Sequence, residues 1–315
     1  MAEGFLLSGS VDLASAQEPY AEHFRKFEEW LDAGRAATMG YLPRGRDRRR
    51  DPLRVFPSAK SVFCVAVPYS AAPHGFTDQT KGPLLARYLR GGDYHSLIAE
   101  RMNRMLESVA KKLESQGHER LRWKTCVDTS AVLERAWCSL AGLGWIGKNS
   151  MLMHPTHGSY LLLGVAFLDQ ETGCAPSPLR SLCGSCRNCL EGCPTKALVN
   201  PGELDANRCI SYWTLEKRGP VKTGGESRMA IGSWVAGCDL CQEACPFNAK
   251  VTKRALSDPT LPDNRLVQSW EFLLKESPEN YEIRVSSTAL NRVKPTEWRR
   301  NLQLAHESIL GDRNY

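Results

Sequence analysis

The sequence has no uninterrupted apolar run near the roughly 20 residues that a membrane-spanning helix needs. Its longest candidate, Tyr160 to Leu168, reads as a buried strand. Met1 to Ala16 has neither a basic leading region nor a clear apolar core, so no export signal is read there. Without export the cysteines are expected to stay reduced in the cytoplasm, which favours metal binding or catalysis over a disulfide framework. Charge imbalance is modest: 41 Lys and Arg face 35 Asp and Glu, a formal net charge of +6. That total alone implies no nucleic-acid partner. No clear internal repeat exists beyond the cysteine motifs.

What is present is an ordinary globular composition. The 315 residues, 42 % of them apolar, suffice for two domains or one large domain with an insert. Phe24, Phe27 and Leu31 lie at helical spacing within Glu18 to Gly34. Ser61 to Pro68 is a β-branched apolar run of strand length. A helix is expected over Tyr94 to Gln116, a strand over Trp123 to Val127, a helix over Ala131 to Ala141 and a strand over Ser159 to Leu168. Alternating strands and helices predict an α/β layer. The texture changes at Gly173, after which nine cysteines with many Gly and Pro occur before Pro246. Such a segment buries little core and is expected to fold around metal. The expected organisation is α/β over 1–172, a ferredoxin-like segment over 173–250, and a charged tail over 251–315 with helices near Leu266 to Leu274 and Arg299 to Leu310.

The cysteine spacing is the most specific signal. Cys183, Cys186, Cys189 and Cys193-Pro194 form the C-x2-C-x2-C-x3-C-P run of bacterial ferredoxins, whose fourth cysteine ligates the other cluster. Cys238, Cys241 and Cys245-Pro246 form a second motif one cysteine short, and Cys209 can complete it. The cross-over rule then gives two 4Fe-4S cages: Cys183, Cys186, Cys189 and Cys245 for one, and Cys193, Cys209, Cys238 and Cys241 for the other. The competing structural zinc reading uses ligands in pairs and fits the triple motif less well. Cys64, Cys126, Cys138 and Cys174 read as small buried hydrophobes.

Charge is clustered at two places: Arg44, Arg46, Arg48, Arg49 and Arg50, and then Arg284, Arg292, Lys294, Arg299 and Arg300. Each group can contact phosphates or can be a solvated face. Asp128-Thr129-Ser130, taken alone, reads as an N-cap of the following helix, and Glu134 as a first-turn acid or a salt-bridge partner of Arg135. His95 reads as a metal ligand, or as a capping or satisfied, partly buried histidine. Lys148-Asn149 can touch a ligand amide or phosphate, or simply turn the chain after the glycine-rich Gly142 to Gly147.

Several stretches together resemble the epoxyqueuosine reductases. They include Arg87-Tyr88, Gly92-Asp93-Tyr94-His95, Val127-Asp128-Thr129, Glu134-Arg135-Ala136 and Ala141-Gly142-Leu143-Gly144-Trp145-Ile146-Gly147-Lys148-Asn149. Gly158-Ser159-Tyr160, Arg208-Cys209-Ile210-Ser211-Tyr212 and Gly237-Cys238-Asp239-Leu240-Cys241 continue the likeness, which spans about residues 20 to 305. The resemblance implies that 1–172 is a cobalamin-binding α/β domain and that two clusters reduce the cobalt. It implies a tRNA anticodon stem-loop carrying epoxyqueuosine as substrate, an external low-potential electron donor, and action as a monomer. It makes Asp128 the proton donor and places cobalamin contacts near Leu152, Leu163, Ser211, Cys238 and Asp239. Longer members of the family carry further C-terminal helical repeats. Two other functions compete: a corrinoid reductive dehalogenase, and a non-enzymatic two-cluster electron carrier, which would leave the first 170 or so residues unexplained.

Overall fold

The computed structural model describes residues 5–69, 82–221, 231–251, 266 and 268–311. Contacts divide the chain into two compact units whose bounds are not linear in sequence. The first takes 1–34, 40–68 and 95–185; the second takes 35–39, 69–94 and 186–315. Bounds drawn on composition run instead from 1 to 172, 173 to 250 and 251 to 315. The difference has a physical cause. Leu84–Leu85 pairs in parallel with Trp234–Ala236, and Ala206 N–H donates to Arg35 O, so early segments join the cysteine-bearing unit through backbone bonds. Most of the start of the expected charged tail, residues 252–265, and residue 267 lie outside the described residues.

The first unit is built on a four-stranded sheet. Its strands are β1 (Leu7–Asp12), β2 (Ser61–Pro68), β3 (Trp123–Cys126) and β4 (Leu161–Leu168), in the order β1-β2-β4-β3. Every pairing is antiparallel: Leu7 faces Ala66, Ser61 faces Leu168, and Cys126 faces Val165. The continuous apolar character of β2 and β4 follows from cover on both faces. Helices α1 (Leu13–Asp32) and α3 (Glu134–Leu140) contribute Ala16, Tyr20, Trp137 and Cys138 to one core cluster with Val62, Cys64, Val165 and Phe167. Tyr20 stacks on Trp137 at 4.0 Å between ring centres. On the other face α2 (Tyr94–Ser115) packs at Gly164, where an added Cβ would lie 2.6 Å from Met102 Sδ and 2.9 Å from Ile98 Cγ2. The mixed α/β class is as expected, although an antiparallel sheet buried on both faces is less usual than a parallel one. Strand β1 escaped the sequence reading because Leu-Ser-Gly-Ser-Val-Asp carries only Leu and Val among weak strand formers; its place is set by pairing with β2.

The second unit carries short elements around the cysteines and three C-terminal helices, α4 (Trp270–Lys275), α5 (Pro278–Val285) and α6 (Pro295–Gly311). Ser269 and Ser277 cap α4 and α5 by accepting from Phe272 N–H and Asn280 N–H. Asn301 of α6 is buried and donates from Nδ2 to Thr214 O at 2.7 Å and Val235 O at 3.0 Å. No helix among the described residues is long and apolar enough to cross a membrane.

Candidate functional site

The cysteine segment starts from short spacings that wrap the chain tightly. Cys186, Cys189, Cys193, Cys209, Cys238, Cys241 and Cys245 belong to the second unit, and Cys183 is grouped with the first. Burial pushes the Cys241 thiol up, and the neighbouring Cys209, Asp239, Cys193 and Cys189 charges raise it further. Cys238 is raised well above its ordinary value by burial, with Cys241, Cys209 and Asp239 adding to the rise. Burial also raises Cys209, where Cys193 contributes. Cys189, Cys193, Cys209, Cys238 and Cys241 thus share one electrostatic neighbourhood.

Half-buried thiolates held this close are costly unless a cation takes their charge, which is why their proton affinity rises without one. Main-chain N–H groups already point at the sulfurs: Ala197 N–H donates to Cys193 Sγ at 3.2 Å, and Cys209 and Cys238 accept from backbone as well. In the first unit Trp145 Nε1 donates to Cys183 Sγ at 3.4 Å. Such bonds favour the thiolate, so the donor set fits iron-sulfur clusters. Among the described residues no three His, Cys, Asp or Glu side chains are gathered as for a single metal ion.

In the first unit Asp128 follows β3 by two residues. It is not a helix cap: α3 begins at Glu134 with Leu133 as its N-cap residue, and no side chain caps it. The chain over 128–133 stays in bends and extended backbone. Asp128 has φ +57°, a left-handed conformation uncommon for a residue with a Cβ. Its side chain is 51 % exposed, and its Oδ2 lies 3.1 Å from Nε2 of His95, which is 19 % exposed. His95 is therefore a carboxylate partner at the start of α2, as the partly buried alternative had it.

Glu134 is half-buried, and its Oε1 is closed off from solvent without a hydrogen-bond partner among the described residues. Burial pushes this carboxyl up to about 7; its own backbone N–H lowers it, and the Asp128 charge raises it. Arg49, buried among the basic cluster, lies over Phe27 at 5.7 Å and lowers Glu134 slightly.

The glycine-rich stretch is a tight hairpin. Trp145–Ile146 pairs with Leu152–Met153, and a Cβ on Gly144 would lie 2.2 Å from Met153 O. At its turn Lys148 Nζ donates to Gly184 O at 2.6 Å, while the buried Asn149 Nδ2 has no partner among the described residues. Of the cobalamin contacts implied by resemblance, Leu152 is buried in this hairpin and Leu163 is half-buried on β4. Ser211 and Cys238 are half-buried in the second unit, and the Asp239 carboxylate is fully enclosed.

The two basic groups differ. Arg46 pairs with Glu28 and Asp32, and Arg49 turns inward, leaving Arg44, Arg48 and Arg50 exposed. In the C-terminal group most charges hold the fold: Arg284 grips Glu276 at 2.6 Å, Arg292 pairs with Glu216, and Arg300 donates to Trp213 O at 2.8 Å. Only the structure could tell these groups apart.

Comparison with known proteins agrees with this layout. A family model described as "4Fe-4S double cluster binding domain" matches residues 182–248, and one described as "Epoxyqueuosine reductase QueG, DUF1730" matches 49–129. The epoxyqueuosine reductase of Synechococcus sp. (strain RCC307) is 36 % identical over 305 residues, covering 95 % of this chain and 89 % of the relative. The chain belongs to the epoxyqueuosine reductase family. Like that family it carries a segment for two 4Fe-4S clusters. Among solved members, an epoxyqueuosine reductase crystallised with an epoxyqueuosine-modified tRNA-Tyr stem loop is 28 % identical, with a TM-score of 0.78 over 97 % of this chain and 78 % of that one. The Bacillus subtilis epoxyqueuosine reductase, solved with an aspartate catalytic loop swung out of the active site, is 27 % identical, with a TM-score of 0.77 over 98 % of this chain and 81 % of that one.

Two polar residues of consequence escaped the sequence reading. Arg87 figured only as part of a motif; Glu134 is the first-turn acid expected, but its burial and raised proton affinity were not legible. Neither has a local signal, because burial and long-range partners define both.

Proposed function

We propose that this protein reduces epoxyqueuosine to queuosine at the wobble position of tRNA, using cobalamin and two 4Fe-4S clusters. The observation that carries the proposal is the extent of the relationship: 36 % identity over 95 % of the chain is too long for the cysteine segment alone to account for. A bare electron carrier would need only that segment.

The cages follow the cross-over rule: Cys183, Cys186, Cys189 and Cys245 for one cluster, and Cys193, Cys209, Cys238 and Cys241 for the other. When bound, the clusters pass single electrons and the corrinoid supplies the strongly reducing centre; the protein provides position, protons and exclusion of water. By family resemblance the corrinoid contacts would include Leu152, Leu163, Ser211, Cys238 and the Asp239 backbone. The unpartnered Asn149 Nδ2 is a buried donor suited to an amide carbonyl such as a corrin side chain bears.

Reduction of the oxirane to an alkene consumes two electrons and two protons and releases water. As the C–O bond breaks, negative charge develops on oxygen, and Asp128 gives it a proton. His95, 3.1 Å from Asp128 Oδ2, orients the carboxyl and relays a solvent proton to reload it. A second protonation lets the oxygen leave as water. The exposed Arg44, Arg48 and Arg50 are among the basic residues that could meet RNA phosphates. The protein acts as a monomer in the cytoplasm and draws on an external low-potential donor.

The test incubates the reconstituted holoprotein and a reductant with tRNA carrying epoxyqueuosine. Queuosine detected by nucleoside mass spectrometry is the expected result. Its absence, with both clusters and corrinoid loaded, would overturn the assignment. Stem-loop binding should also weaken as salt rises.

A further inference from the structure

Arg87 is a charged side chain with 6 % exposure, placed just beyond the short strand Leu84–Leu85 of the second unit. Its Nη1 donates to Glu243 Oε1 at 2.7 Å and reaches Asp239 Oδ2 at 3.3 Å. Its backbone N–H donates to the same Oδ2 at 2.8 Å. The Asp239 side chain is 1 % exposed, and its Oδ1 also accepts from Gln242 Nε2 at 3.3 Å. In sequence Asp239 stands between Cys238 and Cys241, and Glu243 between Cys241 and Cys245.

The partners are 152 and 156 positions from Arg87, so local folding cannot unite them. Parallel pairing of Leu84–Leu85 with Trp234–Ala236 does so. Ala86 N–H donates to Ala236 O at 2.8 Å. Next along, Gly237 has φ +68°, and a Cβ there would lie 2.5 Å from Ala86 Cβ, so only glycine lets the two chains approach this closely.

A buried arginine with two carboxylates is a poor stability device, since desolvation offsets most of the attraction and apolar packing often serves as well. Its position among cluster-ligand cysteines suggests another role. The reduction potential of an iron-sulfur cluster depends on nearby net charge and hydrogen bonding. We propose that Arg87 is a positioning residue for the cluster of Cys193, Cys209, Cys238 and Cys241: its ion pairs with Asp239 and Glu243 fix the Cys238–Cys245 loop and keep the cluster easier to reduce by offsetting two negative charges. This rests on the ligand set given under Proposed function.

The test is a potentiometric titration of the reconstituted full-length holoprotein, followed by electron paramagnetic resonance, with iron and sulfide counted in each sample. Arg87→Gln removes a positive charge and leaves both carboxylates. The cluster should become harder to reduce, with at least a tenfold change in its reduced-to-oxidised ratio at fixed potential, about 59 mV for a one-electron couple. Glu243→Gln removes a negative charge and should shift the potential the opposite way. Arg87→Lys keeps the charge without the planar guanidinium and should restore most of the potential.

Opposite shifts in the two Gln variants support the inference, because general loosening of the loop would move both the same way. Loss of one cluster in Arg87→Gln, regained in Arg87→Lys, supports the loop-fixing role. Fully loaded variants with unmoved potentials, or with shifts of one sign, overturn the inference and leave the ligand set standing. A wild-type protein that reconstitutes with only about four irons overturns the ligand set, and this inference with it.

Discussion

The four-stranded sheet and the cysteine loops are held by different forces. Around the sheet, Val62, Cys64, Trp137, Val165 and Phe167 fill one continuous core, and burial of apolar surface stabilises it without any cofactor. Around the cysteines the elements shrink to six residues or fewer, such as Asn188–Glu191, Leu240–Glu243 and Pro246–Val251, and half-buried thiols stand where a core would be. There the cluster is expected to supply the binding energy that apolar contacts supply elsewhere. The proposed chemistry divides the same way: protons are handled at the end of β3, and electrons in the cysteine segment.

The largest expected effect tests the electron side. Cys241→Ala should lower reconstituted iron from about eight to about four per chain and abolish queuosine formation. Iron analysis and nucleoside mass spectrometry read both, and a variant retaining about eight irons would remove Cys241 from the ligand set. Thermal unfolding of the sheet unit should be nearly unchanged, and a collapse of the whole protein would erase the distinction between the two regions.

Asp128→Asn probes the proton side. Turnover should fall by about 10²- to 10⁴-fold, while iron content, corrinoid binding and stem-loop binding stay at wild-type levels. Unchanged turnover would exclude Asp128 as the proton donor.

Trp137→Ala tests the apolar side. Removing the ring that stacks on Tyr20 and meets Phe167 edge-on should cost about 3–5 kcal/mol in denaturant unfolding. The loss should be equal with and without iron. A loss that appears only in the iron-loaded protein would mean that the sheet depends on the clusters.

The smallest effect concerns Glu134. Its folded pKa of about 7 lies above the ordinary 4.5, so the folded chain binds this proton more tightly than the unfolded chain does. The stability it contributes is present below pH 4.5 and lost as pH rises towards 7. Relative to wild type, Glu134→Gln should therefore gain up to about 3 kcal/mol on going from pH 4.5 to about pH 8. Parallel pH profiles of unfolding for the two proteins would show that Glu134 does not titrate as stated.

Much of the fold was readable where local pattern and burial agree. The apolar run Ser61–Pro68 is a strand with the expected bounds, and the expected Tyr94 to Gln116 helix is observed as Tyr94–Ser115. The helix expected from Ala131 begins three residues later at Glu134, because Asp128 takes a left-handed turn instead of capping it. Strand β1 was invisible, since its six residues acquire their conformation from β2.

The sequence by itself determined the cysteine inventory and its spacing, because a cluster loop is a local object whose ligands must follow one another at short intervals. It also determined which strands would be buried. The tertiary structure alone decided that the sheet is antiparallel, that Asp128 meets His95, and which arginines stay exposed. It alone placed Arg87 between two carboxylates more than 150 positions away. Each of these depends on contacts between distant segments, and pairing across such separations leaves no periodic trace in the chain.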